Sequence, residues 1–335
     1  MVLITQRNQL VTINMVMHKK VEYNPQTMNL KSCLRHFIVT GILFTMSALA
    51  LLGCTETNEI GSKKNPLKFY LIPAQDMMTL QSQGQVLAKY LEKELGLHVE
   101  LGLPTSYIAV VEAFGSKKAD VAILNTFGYV LANEKYGVSA KLKLVNRGRD
   151  EYYGQIIARA DGPKSIKELN GKRFAFVDPA STSGYVLPAL LLKNEKIKIK
   201  EHVFSGTHDS VVMAVYQGKV DAGATFHAPP DDDGTPKDAR WIVRKQYPDI
   251  FDKIKILQLT GPIPNDPVSF RKDLPEELKI KVIAALVKYI KTEEGKKVLY
   301  DLYHVTDFKV AEDKDYDTVR KYLRELGKSA NEFIK

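Results

Sequence analysis

From residue 66 onward, short apolar runs alternate with longer amphipathic stretches, and this alternation limits the chain to an α/β architecture. Residues 67–72 form a strand-like run that ends at Pro73. Residues 76–95 follow with helical spacing: Leu80, Leu87, Leu91 and Leu95 lie near one face and Gly96 supplies a stop. Further strands are expected at 98–101, 121–124, 141–145 and 153–158, with helices over 107–114 and 127–134. The pattern then begins again. A short helix at 166–169 precedes a strand at 173–177, a helix from Tyr185 to Leu192, a strand at 203–204, a helix over 208–217 and a strand at 220–224. Residues 228–239 are a loop by composition, 254–259 a strand, and the remainder is expected to be helical, with Leu278, Val282, Leu286 and Ile290 in register. The order predicts mostly parallel sheets.

A short internal echo supports two lobes. Gly115-Ser116-Lys117-Lys118-Ala119-Asp120-Val121-Ala122 resembles Gly218-Lys219-Val220-Asp221-Ala222-Gly223-Ala224. In each, a helix end leads through an aspartate into a short apolar strand. Sheets of this kind bind ligands beyond their strand C-termini, so two such lobes would share a cleft.

The first 53 residues read as an address and not as fold. Lys31 and Arg35 precede an apolar run from Phe37 to Leu52, too short for a membrane span and suited to a signal core. Leu51-Leu52-Gly53-Cys54 resembles the lipobox of bacterial lipoprotein signals, which makes Cys54 the expected lipidation site. A short transmembrane anchor is the competing reading. Met28 opens a signal of ordinary proportions and is the expected start. Residues 54–65 read as a polar tether. The chain has two cysteines, Cys33 and Cys54, so the body after the tether has neither disulfides nor thiolate metal ligands. The net charge is +9; five basic and one acidic residue lie before Cys54, which leaves +5 on the rest. The basic residues are spread over amphipathic segments and form no nucleic-acid patch.

One stretch concentrates chemistry. Arg173-Phe174-Ala175-Phe176-Val177 leads into Asp178-Pro179-Ala180-Ser181-Thr182-Ser183-Gly184 and then into a helix. Three hydroxyls therefore stand where unpartnered helix N–H groups and the positive end of the dipole favour an anion. Gly184 would let a ligand approach the backbone. One hydroxyl suffices for an N-cap, so capping is the competing reading. Tyr107 opens a helix after Pro104-Thr105-Ser106 and is either a phenolic donor or packing. Asn125 at a strand end either positions a ligand or caps the next helix. Tyr152 and Tyr153 begin a strand near the crossing between lobes, where alternation points one inward and the other outward. His208, after Gly206-Thr207, is placed to donate to an anion at a helix start or to cap it. Asp266 is a turn residue or a carboxylate that accepts from a protonated ligand oxygen or an ammonium. No Gly-x-Ser-x-Gly elbow and no metal-ligand spacing occurs, and Asp231-Asp232-Asp233 reads as a solvated loop. No cofactor is expected.

The lipoprotein signal, Thr105-Ser106-Tyr107, the Ser-Thr-Ser-Gly stretch, Thr207-His208-Asp209-Ser210 and Ile263-Pro264-Asn265-Asp266-Pro267 together resemble the phosphate, phosphite and phosphonate substrate-binding proteins of ABC importers. The resemblance covers roughly 66–310. It implies a type II periplasmic binding fold, with lobe 1 formed by 66–150 plus 260–335 and lobe 2 by 151–259, joined near 145–155 and 255–265. It also implies that Ser181, Thr182 and Ser183 hold the phosphonyl oxygens, that Tyr107, Tyr153 and His208 complete the shell, and that Asp266 accepts from a P–OH or an amine. Aminoalkylphosphonate binders of the family carry a second acid after the second-lobe strand; here that region reads Thr225-Phe226-His227-Ala228, which favours phosphite, phosphate or a short phosphonate. The implied protein is a monomeric, lipid-anchored receptor on the outer face of the membrane that serves an ABC permease and does no chemistry. A sensor lobe for a membrane kinase or chemoreceptor, and an enzyme on the same fold, are the alternatives.

Overall fold

The structure is a computed structural model that describes residues 58–231 and 233–327. The signal region, Cys54 and the first part of the tether lie outside the described residues. Among the described residues no helix is long and apolar enough to cross a membrane.

The chain order begins β1 (Leu67–Leu71), α1 (Met77–Leu95), β2 (Val99–Gly102), α2 (Tyr107–Gly115), β3 (Val121–Ile123), α3 (Thr126–Tyr136), β4 (Ser139–Val145). It crosses to β5 (Glu151–Arg159), β6 (Arg173–Phe176), a π-turn (Thr182–Val186) running into α4 (Leu187–Asn194), β7 (Glu201–Phe204), α5 (His208–Tyr216) and β8 (Ala222–His227). After α6 (Arg240–Val243) and α7 (Ile250–Lys253) come β9 (Ile254–Pro264), β10 (Pro267–Phe270), α8 (Glu276–Tyr289), α9 (Glu293–Tyr303), β11 (Asp307–Val310) and α10 (Asp317–Leu326).

Two sheets result, ordered β11-β4-β10-β3-β1-β2 and β7-β6-β8-β5-β9. Both are mixed and not mostly parallel. β1 pairs parallel with β2 and β3, and β6 with β7 and β8. β10 and β5 then run antiparallel to both of their neighbours. The reason is the route of the chain. It leaves the first sheet after β4 and returns after β9 in the opposite direction, so β10 enters between β3 and β4 reversed. Two strands escaped the pattern. β10 is only four residues long and wholly buried, and its first residue is a proline of the turn motif; proline is tolerated at a strand start. β11 is a short, mostly exposed edge. β9 also runs past residue 260: Pro264 still pairs with Glu151 in the second sheet.

The echo occupies equivalent places in the two sheets. Lys68 N donates to Asp120 Oδ2 at 2.9 Å and Asp120 N donates back to Lys68 O at 3.0 Å. Arg173 N donates to Asp221 Oδ2 at 2.8 Å and Asp221 N returns to Arg173 O at 3.1 Å. Each aspartate thus ties the start of one parallel strand to the start of its neighbour.

The later helices close the first sheet: Tyr90 of α1 stacks on Tyr289 of α8 with ring centroids 4.0 Å apart. α10 touches both halves. Arg320 donates to Asn133 Oδ1 at 3.0 Å, and Lys193 of α4 donates to the Glu325 and Leu326 carbonyls at 3.1 and 2.9 Å, where cations suit a helix C-terminus.

The two aspartates differ in burial. Asp120 is 2% exposed and meets Arg271, itself 9% exposed, at 2.9 Å, whereas the Arg173 side chain opposite Asp221 is 41% exposed. Asp120→Ala is expected to destabilise the fold by about 2–3 kcal/mol, because the buried Arg271 guanidinium keeps only the more exposed Asp273 as a partner and Lys68 N loses its acceptor. Asp221→Ala leaves a solvated arginine, and the expected cost is roughly 1–2 kcal/mol, mostly the lost backbone bond. Urea denaturation of the two variants checks the order.

Candidate functional site

The parallel strands of each sheet deliver helix N-termini to one place. β2 leads to α2, whose first residue is Tyr107, and β3 leads to α3 behind Asn125. From the second sheet, β6 leads to the Ser181–Ser183 turn and β7 to α5, which starts at His208. Each start is capped by a side-chain oxygen: Ser106 by accepting from Ala109 N, Asn125 from Gly128 N, Ser181 from Gly184 N and Thr207 from Ser210 N. Four positive dipole ends and their leading amides therefore face a common cavity of about 100 Å³, several times the ~10–15 Å³ that one water needs.

Of the candidate residues, Tyr107, Asn125, Ser181, Thr182, Ser183, His208 and Asp266 all line this cavity. Tyr153 does not. Its hydroxyl turns outward to Glu151 Oε1 at 3.0 Å, and Tyr152 is the residue that faces in, with its hydroxyl 3.4 Å from Asp266 Oδ1. Neighbouring residues on a strand point to opposite faces, so the tyrosine one position earlier takes the inward place.

The π-turn shapes the Ser181–Ser183 end. Tyr185 N and Val186 N both donate to Ser181 O, at 3.1 and 3.0 Å, so the Thr182 and Ser183 amides precede the first helical bond. Gly184 serves packing and not ligand approach: a Cβ there would stand 2.4 Å from Val177 Cγ2. Gly154 lets β5 come close, since a Cβ would lie 2.8 Å from the Ser183 carbonyl.

Asn125 is fully engaged. Its Oδ1 caps α3, while Nδ2 donates to Ala180 O at 2.8 Å and to Thr182 Oγ1 at 3.0 Å. Both amide hydrogens are spent on the facing turn, so Asn125 lines the cavity as a clasp and has no donor left for a ligand. Thr182 Oγ1 also accepts from Phe127 N at 2.9 Å, which leaves its hydroxyl proton to point elsewhere.

His208 is buried and neutral. Phe226 N donates to Nδ1 at 3.2 Å and Thr225 Oγ1 sits 2.8 Å from the same atom, so Nδ1 is an acceptor and Nε2 carries the proton. Burial lowers its pKa to about 3. Burial also drives the Tyr107 and Tyr152 phenols well above their ordinary value, helped for Tyr107 by the Asp178 and Asp266 carboxylates and for Tyr152 by Asp266. These donors are neutral hydrogen-bonding groups across physiological pH. Asp266 is the one carboxylate lining the cavity among the described residues; burial raises it to about 7 against opposing bonds from Thr126 and Tyr152.

Sequence reading missed Thr126, whose hydroxyl lies 3.3 Å from Asp266 Oδ1, and Tyr303, whose hydroxyl donates to Ile72 O at 2.8 Å on the cavity wall. Thr126 directly follows a residue already singled out. Tyr303 closes an ordinary amphipathic helix and carries no local signal. Among the described residues no cluster of three or more His, Cys, Asp or Glu is arranged to hold a metal ion.

The family described as "ABC transporter, phosphonate, periplasmic substrate-binding protein" matches residues 69–316. The phosphonates-binding periplasmic protein of Escherichia coli is 26% identical over 78% of this chain and 77% of its own. The probable ABC transporter phosphite binding protein PhnD1 of Prochlorococcus marinus is 26% identical over 88% of this chain and 98% of its own. A phosphate-import protein PhnD of Mycolicibacterium smegmatis is 32% identical over 46% of this chain, and the match spans about half of that protein, 53%. Among solved structures, PhnD1 of Prochlorococcus marinus in complex with methylphosphonate superposes with a TM-score of 0.67 at 23% identity, over 82% of this chain and all of that one. The neighbours share the two-lobed fold of type II periplasmic binding proteins. Through the family match, the chain belongs to the periplasmic substrate-binding proteins of ABC phosphonate transporters, which bind and deliver and are not enzymes.

Proposed function

We propose that this receptor captures a small phosphorus oxyanion, namely phosphite, phosphate or a short phosphonate, between its two lobes and presents it to the permease as a lipid-anchored monomer. The observation that carries the reading is the composition of the cavity: neutral donors at four converging helix starts, with a single carboxylate among them. Names of the relatives point the same way, since the three speak of phosphonates, phosphite and phosphate.

Ser181, Ser183 and the Thr182 and Ser183 amides hold the oxyanion from the second sheet, with His208 Nε2–H beside them. Tyr107 approaches from the first. Hydrogen bonds to a charged oxygen are about twice as strong as neutral ones, and a ring of them needs no counter-ion. Asp266 adds a condition. When ionised it accepts from a P–OH; when protonated it donates to a fully ionised oxygen. One proton is therefore shared at that contact, and a ligand that can supply it is preferred. Closure follows because each lobe supplies only part of the shell; the bound anion favours the state in which both parts meet. The Asn125–Thr182 clasp lies on the seam that closes. Cys54 would hold the receptor at the membrane through its lipid, with the polar tether between lipid and fold.

Calorimetric titration of the soluble body with phosphite, phosphate and methylphosphonate is expected to show tight binding of at least one. Ser181→Ala should weaken it by roughly 1.5–3 kcal/mol, the usual scale of a bond to a charged group. Unchanged affinity would sink the reading. The Asp266 pKa is raised to about 7 from 3.8, so the folded state holds a proton that the unfolded state has lost across that window, and ligand-free stability is lost as pH rises through it. The stability of Asp266→Asn relative to wild type should therefore increase between about pH 4 and 7 in thermal or urea unfolding. Cys54→Ser is expected to move the protein from the membrane fraction to the soluble one; membrane retention would rule the lipid out.

A further inference from the structure

The cavity has a second end that the oxyanion shell does not use. Besides the residues of that shell, its lining includes Gln75, Asn146, Arg147, Ile242 and His304. Asn146, Arg147, Tyr152 and Ala228 also line an adjoining, larger cavity that reaches out past Pro229 and Asp231. Arg147 thus stands where the inner cavity passes into the outer one.

Arg149, Glu151 and Asp233 also line the outer cavity, but of the two cavities' shared lining Arg147 is the charged member. Arg147 Nη1 donates to Asp231, but Lys237 Nζ binds the same carboxylate at 2.9 Å. One aspartate therefore serves two cations. Arg244 lies 3.4 Å from the Trp241 ring centroid and donates to the Trp241 carbonyl, with no carboxylate in ion-pair distance among the described residues. Asp231, expected in a solvated loop, does lie in a loop but is half-buried and paired with both Arg147 and Lys237. His304, on the cavity wall, is pushed down to about 4, by burial first and then by Arg147, Lys237 and Arg244, against Asp301. Arg147 is held in place by its backbone, whose N–H donates to Thr306 Oγ1 at 2.7 Å. Gln75 Nε2 is spent on the Asp301 and Leu302 carbonyls, so Gln75 adds no amide donor at this end.

We propose that Arg147 makes the far end of the cleft select by charge: it admits phosphonates whose substituent carries a carboxylate and turns away those that carry an ammonium. This rests on the oxyanion site proposed above. A carboxylate there finds an arginine with donors beyond the one given to Asp231, and an ammonium meets a like charge, with Asp231 already shared and Asp266 engaged by the oxyanion.

The test titrates the soluble body with phosphonoacetate, 2-aminoethylphosphonate and methylphosphonate. Wild type is expected to bind phosphonoacetate about 30-fold or more tightly than 2-aminoethylphosphonate, the scale of one like-charge contact in a partly buried site. In Arg147→Gln that ratio should fall at least about tenfold, and Arg147→Lys should keep most of it. Because both ligands are compared on one variant, a general loss of folding cancels. Asp231→Asn leaves Arg147 in place and should raise the ratio, which tests the idea even if Arg147→Gln fails to fold. Wild-type preference for the ammonium ligand, or a ratio that Arg147→Gln and Asp231→Asn leave unmoved, overturns the proposal while the oxyanion site stands. Failure of every ligand, methylphosphonate included, overturns both.

Discussion

The structure depends on where four helices begin. Each parallel β–turn–α unit sends its helix N-terminus to the same end of its sheet, because the chain must leave the strand C-terminus before it can turn back. Two sheets with those ends facing one another bring α2, α3, α5 and the π-turn before α4 onto a single cavity. The amides and dipoles at these starts make that space favourable to an anion before any side chain is considered. Side chains then refine it. Hydroxyls and a neutral imidazole add donors without charge, and Asp266, raised to about 7, is the carboxyl among them.

The seam between the sheets is built from the same elements. Asn125 is at once the cap of α3 and a donor to the facing turn, and Thr182 receives both that amide and the Phe127 N–H. A residue of this kind ties the position of a helix start to the position of the opposing lobe. The ends of the sheets are secured separately, through the paired aspartates Asp120 and Asp221, which lie at the other ends of the strands. The strand-tying aspartates and the cavity are thereby placed at opposite edges of each sheet, and the cavity edge is free to carry polar groups that a core would not accept.

Much of this was legible in the residues. The Ser-Thr-Ser-Gly stretch announced itself because strand, hydroxyls and helix follow one another without a gap. The alternation of β5 stated that either Tyr152 or Tyr153 faces inward, but not which, since the choice depends on the register against β8 and β9 and on the bulges within it. Asn125 offered two local roles, and neither was its position on the seam. β10 was hidden because four residues beginning with proline look like the end of a turn; only its place between β3 and β4 makes them a central strand. Gly184 looked like a concession to ligand and is one to Val177.

The amino-acid sequence alone determined the α/β character, the repetition of a β–α theme and the stretch on which an oxyanion would sit, because periodicity, capping chemistry and turn residues act over a few neighbouring positions. Only the tertiary structure decided that both sheets are mixed, that Tyr152 and not Tyr153 faces the cavity, and that Asn125 spends its hydrogens on the opposite turn. It also decided that Arg147, Asp231, Lys237 and His304, scattered through the chain, meet at one passage. Those outcomes turn on which surfaces face each other after the chain has crossed between sheets twice, and no local pattern encodes a distance between residues so far apart in the chain.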